Sequence, residues 1–134
     1  MPTNPTRTKE DINKAIEIYR KSKADSVVSV VEAKANHNPH WILKKDDKGH
    51  VSLFTGTSLK DIPTRSQDLP PSYIRNDVIY VINPKNLYEK KPNLYGNRVE
   101  LMVMDESSDI DINTPEDWFV AEQKIRFRNR TKKI

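Results

Sequence analysis

The sequence contains no cysteine and only three glycines, Gly49, Gly56 and Gly96, and each shortage removes a class of chemistry. Without thiols there is no disulfide, no zinc–thiolate centre and no cysteine nucleophile, a usage that fits a cytoplasmic protein. With glycine this scarce, neither GxGxxG nor GxxxxGKS/T occurs, so no loop in these residues is built to wrap a polyphosphate in backbone amides. A nucleophile elbow and a Ser/His/Asp arrangement are missing as well. No run of eighteen apolar residues is present, which excludes a hydrophobic helical span, and Met1-Pro2-Thr3-Asn4-Pro5 shows no signal-peptide pattern. Apolar residues make up 35% and mean hydropathy is −0.80, so one modest core is expected from 134 residues, read as a single domain over 1–134.

Positive charge is dense in one place only. Lys124, Arg126, Arg128, Arg130, Lys132 and Lys133 lie within 124–134 with no acid among them; removing these six from the net +4 leaves −2 for the rest. The body is therefore not a basic nucleic-acid surface, and the basic tail suits the C-terminal end of a helix, where cations meet the negative end of the dipole. An RNA-associated role for the tail is the weakest of the functions considered.

The most informative stretch is 109–118, Asp-Ile-Asp-Ile-Asn-Thr-Pro-Glu-Asp-Trp. Alternation places Asp109, Asp111 and Asn113 on one face of an extended segment, opposite Ile110 and Ile112. Thr114 then suits a helix cap, Pro115 a first helical position, and Asp117 the third position of a capping box. Two carboxylates and an amide at this spacing suit a hard divalent cation such as Mg²⁺. The plainer reading is a polar strand end followed by a capped helix.

Elsewhere the pattern alternates between helix and strand. Thr8 and Asp11 frame a helix with Ile12, Ala15, Ile16 and Tyr19 as its apolar stripe. Residues 26–32 and 78–82 read as strands buried on both faces, and 98–104 as a strand with Val99, Leu101 and Val103 on one face. Residues 36–60 form a polar excursion around Trp41 and Phe54, with a turn at Asp46-Asp47-Lys48-Gly49 and a short strand at 51–54. His37 and His40 are three apart with no third ligand near, and read as part of a solvated loop. Residues 61–77 read as a long irregular loop, Asn83 and Pro84 as the start of a short helix, and 92–97 as a turn. Helix followed directly by a buried strand points to an α/β layered fold, and a final helix is expected from Pro115 to about Phe127.

Four stretches together resemble one family, the cytidylyltransferases that activate sialic acid and related nonulosonic acids. Pro2-Thr3-Asn4-Pro5-Thr6-Arg7-Thr8 is similar to the family's Pro-Thr-Ser-Pro-Leu-Arg-Thr loop, and Asp25–Glu32 to the strand after its helix. Gln67-Asp68-Leu69-Pro70-Pro71 with Tyr73, Asn76 and Ile79-Tyr80 resembles its Arg-Arg-Gln-Asp-Leu-Pro-Pro…Tyr-Arg-Glu-Asn-Gly-Ala-Ile-Tyr block. Residues 110–117 resemble its Ile-Asp-Ile-Asp-Thr-Pro-Glu-Asp turn. The likeness covers nearly all of this chain but only the C-terminal part of a family member.

The resemblance implies a partial Rossmann-like, glycosyltransferase-A-like sheet with flanking helices, and residues 36–60 as an arm for homodimerisation, carrying His40 and Trp41. It implies that CTP and a nonulosonic acid react to CMP-sugar and pyrophosphate with Mg²⁺ as cofactor. Carried over by position, Asp111 is the catalytic metal ligand, supported by Asn113 and Asp109, while Arg65, Gln67, Asn76, Tyr80 and Tyr95 are substrate contacts. Three departures stand out: Asn113 where the family has a second Asp, Ser66 where it has a second Arg, and Asp77 where it has Gly. The family's N-terminal CTP loop is absent, so the isolated chain is expected to be inactive and marginally stable. The alternative is a non-catalytic module that binds a sugar acid or dimerises.

Overall fold

The organising strand is β1, Ser26–Glu32, whose first six residues are all buried. Such continuous burial requires cover on both faces and neighbours on both edges. In the computed structural model, which describes residues 3–131, β1 is the middle of a three-stranded sheet ordered β4-β1-β5. Pro2 of the N-terminal loop and Lys132 and Lys133 of the basic tail lie outside the described residues. Strand β5, Val99–Val103, runs parallel to β1 with Ser26 opposite Val99 and Val30 opposite Val103. Strand β4, Tyr73–Ile82, runs the other way: the Asn83 N–H donates to the Asp25 carbonyl, while Ile79 lies opposite Ser29. The sheet is thus mixed and the fold α/β.

Two helices complete this unit, which comprises 1–31 and 75–134. Helix α1, Lys9–Ser22, opens on the expected reciprocal box, with the Asp11 N–H donating to the Thr8 hydroxyl and the Thr8 N–H to the Asp11 carboxylate. It ends on Lys23 in the left-handed conformation, φ 55°. Ala15 of α1 joins Val27, Val78, Ile79, Met102 and Met104 in the core, with Ile18, Tyr19 and Val81 packed against them. On β5 the expected apolar face of Val99, Leu101 and Val103 is the exposed one, each 40–43% accessible, and the alternate residue Met102 turns inward. Helix α2, Pro115–Thr131, runs longer than expected; it buries Ala121 but leaves Trp118, Phe119 and Phe127 exposed. Among the described residues no helix is long and apolar enough to cross a membrane.

Residues 32–74 form a second compact unit. It holds a small hairpin, β2 (Leu43–Lys45) antiparallel to β3 (Val51–Leu53), closed by the expected turn at Asp46–Gly49. Leu53 is its most deeply buried side chain, and the Trp41 indole donates to the Pro63 carbonyl at 2.7 Å. The irregular loop read over 61–77 ends earlier than expected, because Tyr73–Asp77 already belong to β4. Propensity is silent there: Arg75, Asn76 and Asp77 are weak strand formers.

Asp77 sits inside β4 with φ 54°, a conformation that favours glycine and that Asp tolerates. The local twist turns the Asn76 side chain into the core and opens the ladder opposite Ser29. The fully buried Ser29 hydroxyl fills the opening, donating to Asn76 Oδ1 at 2.6 Å and accepting the Ile79 N–H at 2.8 Å. Ser29→Ala strands both partners in the core, an expected loss of about 1–3 kcal/mol. Urea unfolding checks it: a lower midpoint at unchanged slope is expected, and an unchanged midpoint contradicts this role for Ser29.

Candidate functional site: a carboxylate turn and a tyrosine–arginine cluster

Among the described residues, the segment 109–113 belongs to no strand, unlike the expected strand end. The N-terminal loop holds it instead. Asn4, 6% exposed, donates from Nδ2 to the carbonyls of Ser108 and Ile110 at 3.2 and 2.8 Å, and its Oδ1 accepts from the Thr6 hydroxyl and the Arg7 N–H. The Thr6 hydroxyl also lies 3.0 Å from the Ser108 carbonyl, and the Ile112 N–H donates to the Thr3 carbonyl at 3.0 Å. Ile110 is buried beneath, so Asp111 projects outward from a fixed backbone.

The helix start then locks the other side. Asp117 accepts the N–H groups of Asn113 and Thr114 at 3.0 and 2.8 Å, and its own N–H donates to the Thr114 hydroxyl. The Asn113 amide donates to Asp111 Oδ2 at 3.0 Å, confirming that these two share a face. The Thr3 hydroxyl lies beside the same carboxylate and, with the Asn113 amide, holds Asp111 below its ordinary carboxylate value. That hydroxyl is buried and has no partner at hydrogen-bond geometry. Asp109 moves oppositely. Although the residue is exposed overall, desolvation of its carboxyl raises its pKa, opposed by Lys124 and reinforced by Glu106 and Asp111.

The donors of this turn are oxygens, the ligand type that Mg²⁺ prefers. Among the described residues no group of three or more His, Cys, Asp or Glu side chains is gathered to hold a metal. Mg²⁺ does not need one, since it is commonly bound through one or two carboxylates with phosphate oxygens and water. An ionised, outward-facing Asp111 beside an orphaned hydroxyl fits that partial role.

A second cluster lies on β4 and the turn before β5. The Tyr80 hydroxyl donates to Asp77, and Arg75 donates to the Tyr95 hydroxyl and, at 3.4 Å, to that of Tyr80. The two rings meet edge to face with centroids 6.4 Å apart. Desolvation and the bond to the Asp77 carboxylate push the Tyr80 phenol up to about 12. Tyr95 is presented by a tight turn at Gly96, φ 69°, where an added Cβ would stand 2.3 Å from that of Asp25. The Asp25 carboxylate needs that space, because it accepts the N–H groups of Arg98 and Asn97, which lower its pKa.

No protein-family model matches the chain. Curated proteins do match. The chain is 32% identical over 128 residues to the CMP-N,N'-diacetyllegionaminic acid synthase of Legionella pneumophila, a match spanning 91% of this chain and 50% of that protein. It is 29% identical over 116 residues to an N-acylneuraminate cytidylyltransferase of Streptococcus agalactiae, spanning 87% of this chain and 27% of the relative. The chain is a partial-length homologue of the CMP-acylneuraminate and CMP-legionaminate synthetases. A further relative, the post-translational flagellin modification protein B of Campylobacter coli, is 26% identical over 125 residues, 93% of this chain and 50% of that protein. The chain therefore spans about half the length of two of these relatives and about a quarter of the third.

Set against the synthetase motifs, the residues fall into four groups. Asp109, Asp111 and Asn113 come together, and so do Tyr80 and Tyr95; among the described residues no hydrogen bond or ion pair joins the two groups. Arg65 and Gln67 lie in the 32–74 unit, where Arg65 forms a two-pronged pair with Asp68 at 3.0 and 3.3 Å. That pair is exposed, so it is worth only about 0–1 kcal/mol. Asn76 is buried, its amide group bonded to Ser29 and turned toward Met104, so its polar atoms serve the sheet.

Sequence reading gave no site role to Arg75, Asn4 or Ser29. The cue at Asn4 was available, since a short amide in a Pro-x-x-Pro loop commonly bonds nearby backbone. Arg75 carried no local signal: the left-handed residue at 77 alters β4 in a way that periodicity does not see.

The Tyr80 phenol gives a direct check. Because its folded value lies above the unfolded one, its contribution to stability is full below about pH 10 and is lost as pH rises toward 12. Absorbance titration should show one of the five tyrosines ionising late, a phase missing in Tyr80→Phe and moved earlier in Asp77→Asn. A late phase that survives Tyr80→Phe contradicts the assignment.

Proposed function

We propose that the chain forms part of a cytidylyltransferase that activates a sialic-acid-like nonulosonic acid with CTP, giving CMP-sugar and pyrophosphate. The observation that carries this is the Asp111 turn, with its ionised carboxylate, oriented amide and capped helix, in a chain homologous to such synthetases over nine-tenths of its length. In this reading the three-stranded sheet is a portion of a larger Rossmann-like, glycosyltransferase-A-like sheet. These 134 residues contain no glycine-rich phosphate loop, so they are read as one part of the catalytic unit.

The reaction joins the anomeric hydroxyl oxygen of the sugar acid to the α-phosphorus of CTP. The bridging bond between the α- and β-phosphates breaks, pyrophosphate leaves, and the hydroxyl proton is released. Such a transfer needs positioning and charge stabilisation more than covalent chemistry. Asp111, kept ionised by its neighbours, is the residue that would hold Mg²⁺, with the Asn113 carbonyl and Asp109 in support. Bound there, the ion supplies positive charge against the phosphates. The Asn113 amide fixes the direction in which the carboxylate points. The Arg75 guanidinium, framed by Tyr80 and Tyr95, is suited to a sugar acid's carboxylate.

Pyrophosphate release from CTP with a panel of nonulosonic acids tests the reading. Released by the chain together with the portion of the Legionella pneumophila relative outside the match, it should fall on the order of 10²–10³-fold in Asp111→Ala, the scale of losing one charge-stabilising group. Turnover unaffected by this substitution sinks the assignment.

The 32–74 unit supports a homodimer in the same reading. Its hairpin exposes Leu43, Val51 and Phe54 close together in sequence, more apolar surface than so small a unit is expected to leave in water. Deleting 40–56 should lower the sedimenting mass to that of one chain. Identical masses for the parent and the deletion place any interface elsewhere.

A further inference from the structure

The proposed transfer frees the anomeric hydroxyl proton, which needs an acceptor within hydrogen-bond reach of that oxygen. In a nonulosonic acid the anomeric carbon carries the hydroxyl and the carboxylate together. The acceptor must therefore stand beside the group that holds the carboxylate. Asp77 stands beside Arg75 in this sense. Both bond the Tyr80 hydroxyl, Arg75 as a donor at 3.4 Å and the Asp77 carboxylate as an acceptor. Their charged ends thus lie no farther apart than two hydrogen bonds laid end to end. A carboxylate and a hydroxyl on one carbon suit that gap.

The neighbouring groups have other tasks. The Tyr80 phenol, pushed up to about 12, stays protonated and serves as the donor to Asp77. The Tyr95 hydroxyl accepts from Arg75, and Asp111 is committed to the metal in the proposed reading. Asp77 keeps one oxygen open: Tyr80 bonds Oδ1, and among the described residues Oδ2 has no hydrogen-bond partner. The residue is half-buried, so it can meet a ligand while partly shielded from water.

Its place in the sheet is also suitable. Strand β4 runs against β1 and β5, so Arg75–Asp77 sit at the end where β5 leads into 105–113. Two contacts mark this end. The Asn76 amide lies 3.6 Å from Met104 Sδ, and Arg7 of the loop that grips the Asp111 segment donates to the Val78 carbonyl at 3.0 Å. Ligands of open α/β sheets gather at the carboxyl ends of the parallel strands, which is where Asp77 and Asp111 both lie.

We infer that Asp77 is the general base of the transfer: it hydrogen-bonds the anomeric hydroxyl while Arg75 holds the carboxylate on the same carbon. The Asp77 carboxylate takes the hydroxyl proton, and the oxygen's electron pair forms the bond to the α-phosphorus. The bond from that phosphorus to the bridging oxygen breaks, its electrons leaving with pyrophosphate. Protonated Asp77 then returns its proton to water. The family motif carries Gly at this position, which has no carboxylate, so the role is particular to this chain. The inference rests on the cytidylyltransferase reading for the reaction, and a binding measurement without CTP separates the two.

Two substitutions test the base, in the chain combined with the portion of the Legionella pneumophila relative outside the match. Asp77→Asn tolerates the left-handed backbone but cannot take a proton, and Asp77→Gly vacates the space beside Tyr80. With N,N'-diacetyllegionaminic acid and CTP, both should lose about 10²–10⁴-fold in kcat with a far smaller change in KM. Added formate, a small carboxylate that fits the vacated space, should raise the Asp77→Gly rate about tenfold or more, which a merely structural Asp77 would not allow. Calorimetry without CTP supplies the second readout. The 2-deoxy analogue, which lacks only the anomeric hydroxyl, should bind the parent about tenfold more weakly than the sugar acid, a difference that Asp77→Gly erases. Any of three results overturns the proposal: parent-like release in Asp77→Asn, a loss in Asp77→Gly that formate does not relieve, or equal binding of the two acids to the parent. Release that ignores both variants refutes the base and leaves the cytidylyltransferase reading standing. No release from the parent refutes that reading and the proton transfer with it, while a hydroxyl preference that depends on Asp77 still upholds the contact.

Discussion

The side chain of Asn4 is the constraint on which the site depends. A buried amide presents two donors and an acceptor that must all be satisfied, and Asn4 meets this by gripping two carbonyls of 108–110 and two groups of its own loop. Those bonds span more than a hundred residues of sequence, so an N-terminal loop without regular structure holds the 109–113 segment in place of a sheet ladder. The Arg128 guanidinium adds a second tie, donating to the Thr6 carbonyl at 2.7 Å from the far end of α2. Asp111 is positioned because its backbone has nowhere else to go. Loss of the Asn4 amide would leave two carbonyls without their donor and release the carboxylate's direction together with them.

The opposite end of the sheet is organised by a different compromise. Asp77 occupies a left-handed position inside a strand, at a place where the family motif carries glycine. That conformation suits glycine best, and Asp is among the few other side chains that bear it. The carboxylate thereby gained receives the Tyr80 hydroxyl, so the substitution that strains the backbone also builds the polar cluster with Arg75 and Tyr95. The break in the ladder is sealed from behind by Ser29. Backbone geometry, core satisfaction and surface chemistry at this point are one arrangement.

Local chemistry was the part legible in the sequence. The capping boxes at Thr8–Asp11 and Thr114–Asp117, the fully buried strand 26–32 and the hairpin turn at 46–49 all depend on neighbours within a few residues, and they stand where periodicity and capping put them. What failed depends on distant partners. The 109–113 segment looks like a strand by alternation, but its hydrogen bonds go to a loop. Strand β4 begins at Tyr73, inside a stretch of polar residues, because pairing and a left-handed residue override propensity. Alternation grouped Val99, Leu101 and Val103 correctly but could not tell which face the core would claim. The same limit applies to the site: the spacing of 109, 111 and 113 marked oxygen ligands, whereas the upward shift of Asp109 comes first from desolvation by the surrounding fold and the downward shift of Asp111 first from Thr3, far off in sequence.

The homology and the geometry meet at Asp111, and a single measurement probes that meeting point without requiring turnover. Mn²⁺ broadens amide resonances near its binding site, so titrating it with CTP into the 134-residue chain locates the metal–phosphate end directly. The account predicts selective broadening at residues 111–114 and at Thr3 and Asn4, abolished by Asp111→Ala. Broadening centred elsewhere, for example on the Asp46–His50 turn, or unchanged in Asp111→Ala, would contradict it.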